Sequence, residues 1–484
     1  MTRIVVLGAG VSGHTAAAFL NRWLGKDAAV TVISPNPDYN WLPSNIWVGL
    51  GRMAPKDVLV PLAPIYERVG IEFKQARALG IFPHGSAALD KPHVEIESTG
   101  DKQPGTRELV AYDFLINATG PKLQFEATEG LGPAGHSLSV CTADHAEHTA
   151  KVFFSHIQAM KAGARRRFVI GTGHGTCTCE GAAFEYAVNL EFELRRHGVR
   201  DKAEVIYLSN EYVLGDFGMG GAYIRRNGYN TPINIFTESL FAERGIDWIL
   251  RSHVQKVEAS RLWYKNLDGE EHELPFDMAM LLPPFSGVGL KAYDRSGADI
   301  THRLFAPNGF MRVDADYSPK PFQQWSAQDW PRVYQSPEFS NIFAAGIAFA
   351  PPHAISTPRT TKDGTPIFPA PPRTGMPSAS IGKAVARSIR DSIEGKPAPL
   401  HAASMAEMGA ACIASTGTGL LRGSAASMTV FPIVPDFERY REYGRDLSLT
   451  AGEIGLAGHW IKHLLHYMFL YKARLRPGWA AIPE

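Results

Sequence analysis

The glycine-rich turn near the N-terminus constrains the fold more than any other feature of this sequence. A short apolar run, Arg3 to Leu7, is followed by the turn Gly8-Ala9-Gly10-Val11-Ser12-Gly13 and then by residues 14–20, which are predicted to form a helix. Dinucleotide-binding units have this order, because the glycines permit a tight turn, a close pyrophosphate and close helix packing. The helix N-terminus also offers free N–H groups to an anion. Gly8, Gly10 and Gly13 are therefore predicted to bind a dinucleotide.

Two further segments match the same unit. The second strand, Ala29 to Ile33, ends in Ser34 instead of the acid that usually binds the adenosine ribose. We expect Ser34 and Asn36 to hydrogen-bond the 2′-hydroxyl in its place. An apolar strand at residues 113–117 closes on Ala118-Thr119-Gly120. In flavoproteins with two dinucleotide domains, this tripeptide marks the crossing between the FAD domain and the second domain.

A third part of the unit lies far downstream, where Asn341 to Ala345 precede Gly346. Flavoproteins of the disulfide reductase type have Asp after this glycine to hold the ribityl chain of FAD, whereas this chain has Ile347. The three parts predict an α/β chain that binds FAD, and a doubly wound fold with another ligand is the alternative. We predict an FAD-binding domain in two parts, at residues 1–160 and 301–390. A second Rossmann-like domain lies between them at residues 161–300, and a C-terminal region follows at residues 391–484.

Charge and composition argue against several classes of protein. The chain has 49 Lys plus Arg against 48 Asp plus Glu, so no net basic field attracts nucleic acid. No run of 18 apolar residues would span a bilayer, and a strand begins at once, so no signal peptide is expected. The four cysteines are too few for a disulfide framework. Their spacing also lacks the paired knuckles or histidine partners of a zinc site, so no metal is predicted.

A second strand, turn and helix lies around residues 166–208, and its turn contains two cysteines. The stretch GTGHGTCTCEG, from Gly171 to Gly181, has the glycines of a phosphate cradle, but Cys177 and Cys179 lie where the helix should begin. The positive end of a helix dipole stabilises a thiolate, so this position favours a reactive sulfur. An NADH-binding domain usually has an acidic residue at the end of its second strand to bind the adenosine ribose. Here Glu211 is the nearest such residue, and its position fits this role only ambiguously. We therefore predict a sulfur site here instead of a second nucleotide site.

The residues around these cysteines resemble one family. The segment Cys179-Glu180-Gly181-Ala182-Ala183-Phe184-Glu185 resembles the Cys-x-Gly-Pro-Ala-Tyr-Glu motif of sulfide:quinone oxidoreductases, with Ala182 in place of Pro. The resemblance extends from the first residues to about residue 475. Its other segments are Trp41 to Gly49, Ala118 to Leu123, Ser139 to Glu147 and Gly409 to Cys412.

The resemblance implies a specific chemistry. Cys179 and Cys412 would form the redox pair, bridged directly or through additional sulfur, and Cys141 would lie near the flavin 8-methyl group. Hydrogen sulfide would be oxidised to polysulfide or elemental sulfur, and FAD would pass the electrons to a membrane quinone. Cys177 has no counterpart in the family motif, so we expect it to pack in the interior, with a spare sulfur carrier as the alternative.

Supporting residues follow from the same resemblance. Glu185 would handle protons beside the disulfide, although a surface glutamate is the simpler alternative. His145 would lie near the flavin, unless it is only a capping or core histidine. Arg373 stands where the family has the lysine near the flavin N1 and C2 carbonyl, and Asp216 replaces a family histidine, which puts a proton route there in doubt. The quinone would contact Phe285, Ile413 and Phe431.

The tail is predicted to end in a helix from Gly455 to Arg474. At 100° per residue, most large apolar side chains fall on one half, and Lys462 and three histidines fall on the other. Such a helix either lies in a bilayer interface or packs on a core, and the resemblance favours the first, since a lipid-soluble quinone must be reached. The expectation is a peripheral membrane protein, on an unspecified side of the membrane. Members of the family commonly associate, which suggests a homo-oligomer of unspecified size.

Three alternatives remain open at this stage. A type II NADH:quinone dehydrogenase shares the two-dinucleotide fold and the membrane tail, but needs no cysteine pair. The flavoprotein subunit of a flavocytochrome c sulfide dehydrogenase would deliver electrons to haem, and is normally exported. A flavin-bearing scaffold or redox sensor with vestigial cysteines is the non-enzymatic alternative.

Overall fold

The computed structural model describes residues 1–101, 104–226, 228–396, 400–418 and 421–484. The N-terminal part contains the strands β1 (Thr2–Leu7), β2 (Ala28–Ser34), β3 (Asp38–Asn40), β4 (Leu59–Pro61), β5 (Glu72–Phe82), β6 (His93–Ser98), β7 (Arg107–Ala111), β8 (Phe114–Asn117) and β9 (Lys122–Leu123). Its helices are α1 (Val11–Leu24), α2 (Asn45–Val48), α3 (Leu62–Val69) and α4 (Ala143–Lys161).

The middle part begins with β10 (Arg166–Thr172), α5 (Glu180–Arg196) and β11 (Ala203–Leu208). It continues with β12 (Tyr223–Arg226), β13 (Tyr229–Pro232), α6 (Ile233–Arg244), β14 (Ile246–Ile249), β15 (Ser252–Glu258), β16 (Arg261–Asn266), β17 (Glu271–Pro275), β18 (Met278–Leu282), β19 (Phe285–Ser286) and β20 (Lys291–Ala292). The remaining elements are α7 (Thr301–Leu304), β21 (Ile342–Ala344), α8 (Gly375–Ile393), β22 (Ala410–Thr418), β23 (Arg422–Val430), β24 (Ala451–Gly455) and α9 (Leu456–Ala473).

The first sheet contains the N-terminal strand and turn. Its strand order is β21-β8-β1-β2-β5-β6-β7, and β1 pairs in parallel with both β2 and β8. Strand β1 is buried from Ile4 to Leu7, as expected for a central parallel strand that is covered on both faces. Strand β21 pairs in parallel with β8, so a segment from far downstream completes the sheet. Helix α8, which follows that segment, packs against α1.

The second sheet is a smaller parallel unit. Its strand order is β14-β11-β10-β18, with all three pairings parallel, and α5 packs against β10 and β11. A separate antiparallel sheet, β15-β16-β17, lies between β14 and β18 in the chain and shares a small apolar core with the second sheet. The parallel strands of the first sheet, which continue into an antiparallel β5-β6-β7 part, and the parallel second sheet confirm the predicted α/β fold with two Rossmann-like units.

The C-terminal region contains more than the predicted helix. Strands β22, β23 and β24 form an antiparallel sheet, and α9 packs against β22 and β23. Helix α9 agrees with the predicted helix to within about one residue at each end, whereas the sheet was not predicted. Strand β22 also packs against α5, so the C-terminal sheet reaches the second parallel unit.

Helix α9 turns its polar half toward the protein. His459 and His466 are buried, His466 shares a 2.8 Å hydrogen bond with the Ser44 hydroxyl, and the ring of His463 stacks on Trp47 with centroids 4.6 Å apart. The large side chains exposed on the opposite side are those of Trp460, Ile461, Leu464 and Tyr467. Within the described residues, no helix is both long enough and apolar enough to cross a membrane.

Candidate active site

The N-terminal turn has the shape of a dinucleotide cradle. A Cβ atom at Gly8, which has a φ of 97°, would overlap the carbonyl oxygen of Ala118, and one at Gly13 would overlap that of Gly8. Larger residues would therefore separate α1 from the crossing strand. A Cβ atom at Gly10 would meet nothing within 4 Å, so space is open at the N-cap of α1. The residues present fit a bound pyrophosphate at this helix N-terminus.

The downstream glycine closes on the same turn. Gly346 has a φ of 64°, and a Cβ atom there would lie 2.7 Å from the Cβ of Ser12. The Ser12 hydroxyl is buried without a hydrogen-bond partner in the protein. A buried hydroxyl normally has a partner, so this orphaned group beside the open N-cap also fits a ligand.

The residues predicted around the adenosine and the domain crossing have local partners. The Ser34 hydroxyl accepts a 3.3 Å hydrogen bond from the backbone N–H of Asn36, which holds the turn after β2. The Thr119 hydroxyl donates to the side-chain oxygen of Asn117 at 2.8 Å, and Gly120 has a φ of 71°. Asn36 is exposed, so its side chain is the freer of the two predicted ribose contacts.

Arg373 links the downstream segment to the sulfur residues. Its guanidinium donates to the carbonyl oxygens of Ile347 at 2.9 Å and Phe349 at 3.2 Å, and lies over the ring of Phe310. Burial lowers the pKa of Arg373 to about 10, and a nearby negative charge on Cys179 would act in the opposite direction. At neutral pH the guanidinium is a partly buried cation whose charge interacts with Cys179.

Two of the predicted cysteines converge on the first turn of α5. Cys179 is the N-cap of this helix, with a left-handed φ of 68°, and Cys412 lies on β22. The Cys412 sulfur is 4.0 Å from the carbonyl oxygen of Gly181 and would be 3.3 Å from a Cβ atom there. The glycine at position 181 therefore leaves the space that this sulfur occupies. All four cysteines are free thiols in the structure.

The expected stabilisation of the Cys179 thiolate is wrong for this structure. Burial, followed by the charge of Glu180, raises the pKa of Cys179 to about 12. Burial, followed by the charge of Glu185, raises the pKa of Cys412 to about 12, and burial raises that of Cys141 to about 11. Although these three residues remain partly accessible, the packing around the sulfurs outweighs the helix N-terminus. The protein alone keeps these cysteines as thiols at neutral pH.

Cys177 is placed in the interior, as expected. It is fully buried, and its thiol donates to the carbonyl oxygen of Leu282 at 3.0 Å. Burial is the main reason why the pKa of Cys177 lies well above its usual value. The residue has the environment of a structural cysteine.

Glu185 and His145 have different environments. Glu185 is buried and forms a 3.0 Å ion pair with Lys462 of α9, so the surface alternative for Glu185 is wrong. Burial raises the pKa of Glu185, while Lys462 opposes the shift. His145 lies in the first turn of α4, and its ring meets Phe125 edge-on at 5.9 Å. Its Nδ1 is buried without a partner in the protein, and burial lowers its pKa.

The three predicted quinone contacts do not lie in one element. Ile413 is the neighbour of Cys412 on β22. Phe431 directly follows the end of β23, which belongs to the same sheet as β22, and its ring lies close to Gly409. Phe285 lies in β19, which pairs with β9 beside the domain crossing. Contact of the three side chains with a quinone stays a prediction.

The second glycine turn is filled by the protein itself. The backbone N–H of Gly173 donates to Leu282, that of Gly175 to the His253 ring, and those of Thr176 and Cys177 to His174. Carbonyl oxygens of the same turn accept from the segment 366–371, through the N–H groups of Phe368 and Ala370 at 2.9 and 2.8 Å. A phosphate cradle needs free N–H groups, and these four are occupied.

Two charged residues near the cysteines were missed from the sequence. Lys462 was placed only on the polar half of a helix, since its partner Glu185 is remote in sequence. Glu180 follows Cys179 in the sequence and is fully buried. Its position between a predicted reactive cysteine and Gly181 could have indicated a charged residue close to the sulfur.

One characterised protein shows the family of this chain. The sulfide-quinone reductase of Aquifex aeolicus (strain VF5) is 30% identical over 474 residues, which cover 97% of this chain and 91% of that protein. This chain belongs to the sulfide-quinone reductase family. The resemblance found in the sequence is confirmed, and the chain is an oxidoreductase. No protein-family model matches the sequence.

A solved structure agrees with membership of the sulfide-quinone reductase family. The X-ray structure of the sulfide:quinone oxidoreductase from the same bacterium has a TM-score of 0.74 at 30% identity, and the match covers 98% of this chain and 92% of that chain. NDH2 from Plasmodium falciparum has a TM-score of 0.62 over 98% of this chain and 96% of its own, at 13% identity. The second likeness concerns the fold alone.

Proposed function

We propose that this enzyme oxidises sulfide and passes the electrons through FAD to a membrane quinone, with Cys179 and Cys412 as its redox pair. Membership of the sulfide-quinone reductase family supports the overall reaction. The observation that supports the cysteine pair is the position of the Cys412 sulfur against Gly181, two residues from Cys179 at the start of α5. Helix α5 and strand β22 bring these distant parts of the chain together.

The chain offers several residues that would hold FAD. The N-cap at Gly10 would take the pyrophosphate, and Ser12 and Gly346 would lie beside it. The partly buried cation of Arg373 would face the ring system. When bound, FAD supplies the two-electron redox chemistry between sulfur and quinone. A guanidinium that is partly removed from water favours negative charge on the group that it faces.

The sulfur chemistry proceeds by thiol-disulfide exchange. Starting from a Cys179–Cys412 disulfide, hydrosulfide bonds to the Cys179 sulfur, the sulfur–sulfur bond of the disulfide breaks, and Cys412 leaves as a thiolate. Cys179 then holds a persulfide, and a further hydrosulfide takes its outer sulfur, which leaves as polysulfide or, after chain growth, elemental sulfur, while Cys179 returns to a thiol. Bound FAD would accept the two electrons released when Cys179 and Cys412 rejoin as a disulfide. Because the pKa of both free thiols is about 12, each cysteine sulfur takes up a proton at neutral pH when the disulfide is reduced.

The exposed side of α9 supports contact with a membrane. Its outward apolar side chains belong to a helix whose polar half is directed at the protein, the reverse of a helix that covers a soluble core. A surface of this kind binds at the boundary between lipid headgroups and acyl chains. The proposed enzyme is therefore a peripheral membrane protein that draws its quinone from the bilayer.

The filled second turn argues against NADH as the electron donor. A type II NADH:quinone dehydrogenase would need the N–H groups of Gly173 and Gly175 for the cofactor phosphates, and these groups donate within the protein. The segment 366–371 would also have to leave.

The flavin absorption band of the purified enzyme tests this function. Under anaerobic conditions, sulfide should bleach the band and NADH should leave it unchanged. Cys179→Ser and Cys412→Ser should each abolish sulfide-dependent quinone reduction while the flavin remains bound. Cys177→Ser is the matched control and should keep turnover within about twofold, because a hydroxyl can donate to Leu282 as the thiol does. Bleaching by NADH but not by sulfide would contradict the proposal.

A further inference from the structure

A segment from far downstream covers the second glycine turn. We call residues 366–373 the strap, and they lie directly before the start of helix α8. The backbone N–H of Phe368 donates to the carbonyl oxygen of Gly175 at 2.9 Å, and that of Ala370 donates to the carbonyl oxygen of Cys177 at 2.8 Å. The strap therefore runs along the turn and is bonded to it at two positions.

Two glycines leave the space that the strap occupies. A Cβ atom at Gly175 would lie 2.2 Å from the carbonyl oxygen of Pro366, and one at Gly218 would lie 2.3 Å from that of Ala370. Both distances are shorter than real Cβ contacts, so a larger residue at either position would push the strap away. Glycine allows another group to come close to the backbone, and at Gly175 that group is the strap instead of a phosphate.

The last contact of the strap before Cys179 is a buried hydrogen bond. The hydroxyl of Thr178, which is 2% exposed, donates to the carbonyl oxygen of Pro371 at 2.9 Å. Cys179 comes directly after Thr178 and has a left-handed backbone, with a φ of 68° and a ψ of 29°. A residue other than glycine keeps this conformation only where its surroundings enforce it. The bond from Thr178 to Pro371 is in the right place to enforce it at Cys179.

The other end of the strap is fixed to the part of the chain that is predicted to bind FAD. Arg373 donates to the carbonyl oxygens of Ile347 at 2.9 Å and Phe349 at 3.2 Å. Thr374, the next residue, is the N-cap of α8, which packs against α1. The strap thus connects the nucleotide cradle at α1 with the turn that ends at Cys179.

We propose that the strap positions Cys179 for its redox reactions, and that the hydrogen bond from Thr178 to Pro371 is the contact through which it acts. The inference rests on the proposed function, in which Cys179 and Cys412 form the redox pair. Thr178 is a positioning residue, because none of its bonds forms or breaks in the reaction. Without its hydroxyl, the backbone of Cys179 can leave the left-handed region, and the sulfur then moves relative to Cys412.

Thr178→Val and Thr178→Ser form a matched pair that tests the inference. Valine has nearly the shape of threonine but cannot donate a hydrogen bond, whereas serine keeps the hydroxyl. In rapid-mixing experiments, Thr178→Val should slow the reduction of the flavin by sulfide about tenfold or more, because misplacing a reacting group by about 1 Å can cost roughly 10²-fold. Reoxidation of its flavin by quinone should be unchanged, since that step does not use Cys179. Thr178→Ser should restore nearly the wild-type rate of the sulfide step.

Thr176→Val is the control within the same turn. The Thr176 hydroxyl shares a 3.1 Å hydrogen bond with Nδ1 of His174 instead of with the strap. Its loss should leave both the sulfide step and the quinone step at the wild-type rate. A sulfide step as slow in Thr176→Val as in Thr178→Val would overturn the inference, because the contact with the strap would then make no difference.

The thiol–disulfide equilibrium separates positioning from a loss of stability. After equilibration with dithiothreitol, alkylation and mass spectrometry of the peptides give the fraction of the Cys179–Cys412 disulfide. Thr178→Val should shift this equilibrium toward the free thiols by roughly five- to thirtyfold, the equivalent of the left-handed backbone strain of one residue. A variant that is only less stable would keep the wild-type equilibrium and slow both steps alike. That result would overturn the inference.

Ala370→Pro tests the strap without a change at Thr178. It removes the N–H that donates to Cys177, and residues 369, 371 and 372 are already proline, so the extended backbone should accept it. The sulfide step should slow severalfold, and reoxidation by quinone should not change. A sulfide step at the wild-type rate in this variant would overturn the role of the strap.

The inference and the proposed function can fail separately. The proposed function fails if sulfide does not reduce the wild-type flavin, or if Cys179→Ser turns over normally. The inference alone fails if Cys179→Ser is inactive while sulfide reduces the flavin of Thr178→Val at the wild-type rate.

Discussion

Replacing Ile461 and Leu464 by Ser tests whether α9 binds a membrane. Leu464 is 61% exposed and Ile461 is 48% exposed, so each has a large apolar area that lipid can remove from water. Full burial of such a side chain is worth about 1.5–3 kcal/mol, and scaling by the exposed fractions gives about 2–3 kcal/mol for the pair. The double variant should therefore bind membranes roughly 30- to 150-fold more weakly.

Co-sedimentation with phospholipid vesicles measures this loss directly. The control is Ile235→Ser, because Ile235 is 51% exposed on α6, and its loss should change vesicle binding by less than about twofold. Thermal unfolding without lipid should be nearly unchanged for both variants, since the replaced side chains already face water. Vesicle binding of the double variant at the wild-type level, or an equal loss in the control, would refute the membrane role of α9.

Two further predictions concern buried charges. Lys462→Met leaves Glu185 buried without its 3.0 Å partner, so the free energy of unfolding should fall by about 3–5 kcal/mol, and adding Glu185→Gln should restore most of it in urea titrations. Burial raises the pKa of Glu211 from 4.5 to about 7, so its contribution to stability is present below pH 4.5 and is lost as pH rises through 7. Relative to Glu211→Gln, the wild type should lose up to about 3 kcal/mol between pH 4.5 and 8. Equal losses in both proteins would contradict this account.

The FAD-type turn could be predicted from sequence because its causes are local. Gly8 and Gly13 allow close backbone contact, as the overlaps expected for any Cβ atom there show. The apolar run of β1 and the helix after the turn lie within the same short segment, so pattern alone identifies the unit. The cysteines of the second turn were also recognised locally, through the motif that begins at Cys179.

The parts that could not be predicted depend on contacts between remote residues or on weak patterns. Strand β22, Ala410–Thr418, consists mainly of small residues and lacks the alternation that marks a half-buried strand, which explains why its sheet was missed. The pKa of Cys179 was misjudged because the helix N-terminus is visible in sequence, whereas burial by the folded chain is not. In this site burial is the larger effect.

The amphipathic pattern of α9 does not determine which half of the helix faces the protein. In the structure the polar half faces the protein. The sequence shows which side chains lie on each half of a helix. Either half can face the protein, because a polar half can pack inward when the protein offers it specific polar partners. Here Ser44 bonds His466, and Glu185 pairs with Lys462, so the polar half has partners inside and the apolar half is directed outward. The charge of Glu185 also raises the pKa of Cys412. One ion pair thus connects the helix that we propose to bind the membrane with the cysteine that we propose to bind sulfur, so changes at Lys462 should alter both stability and sulfur chemistry.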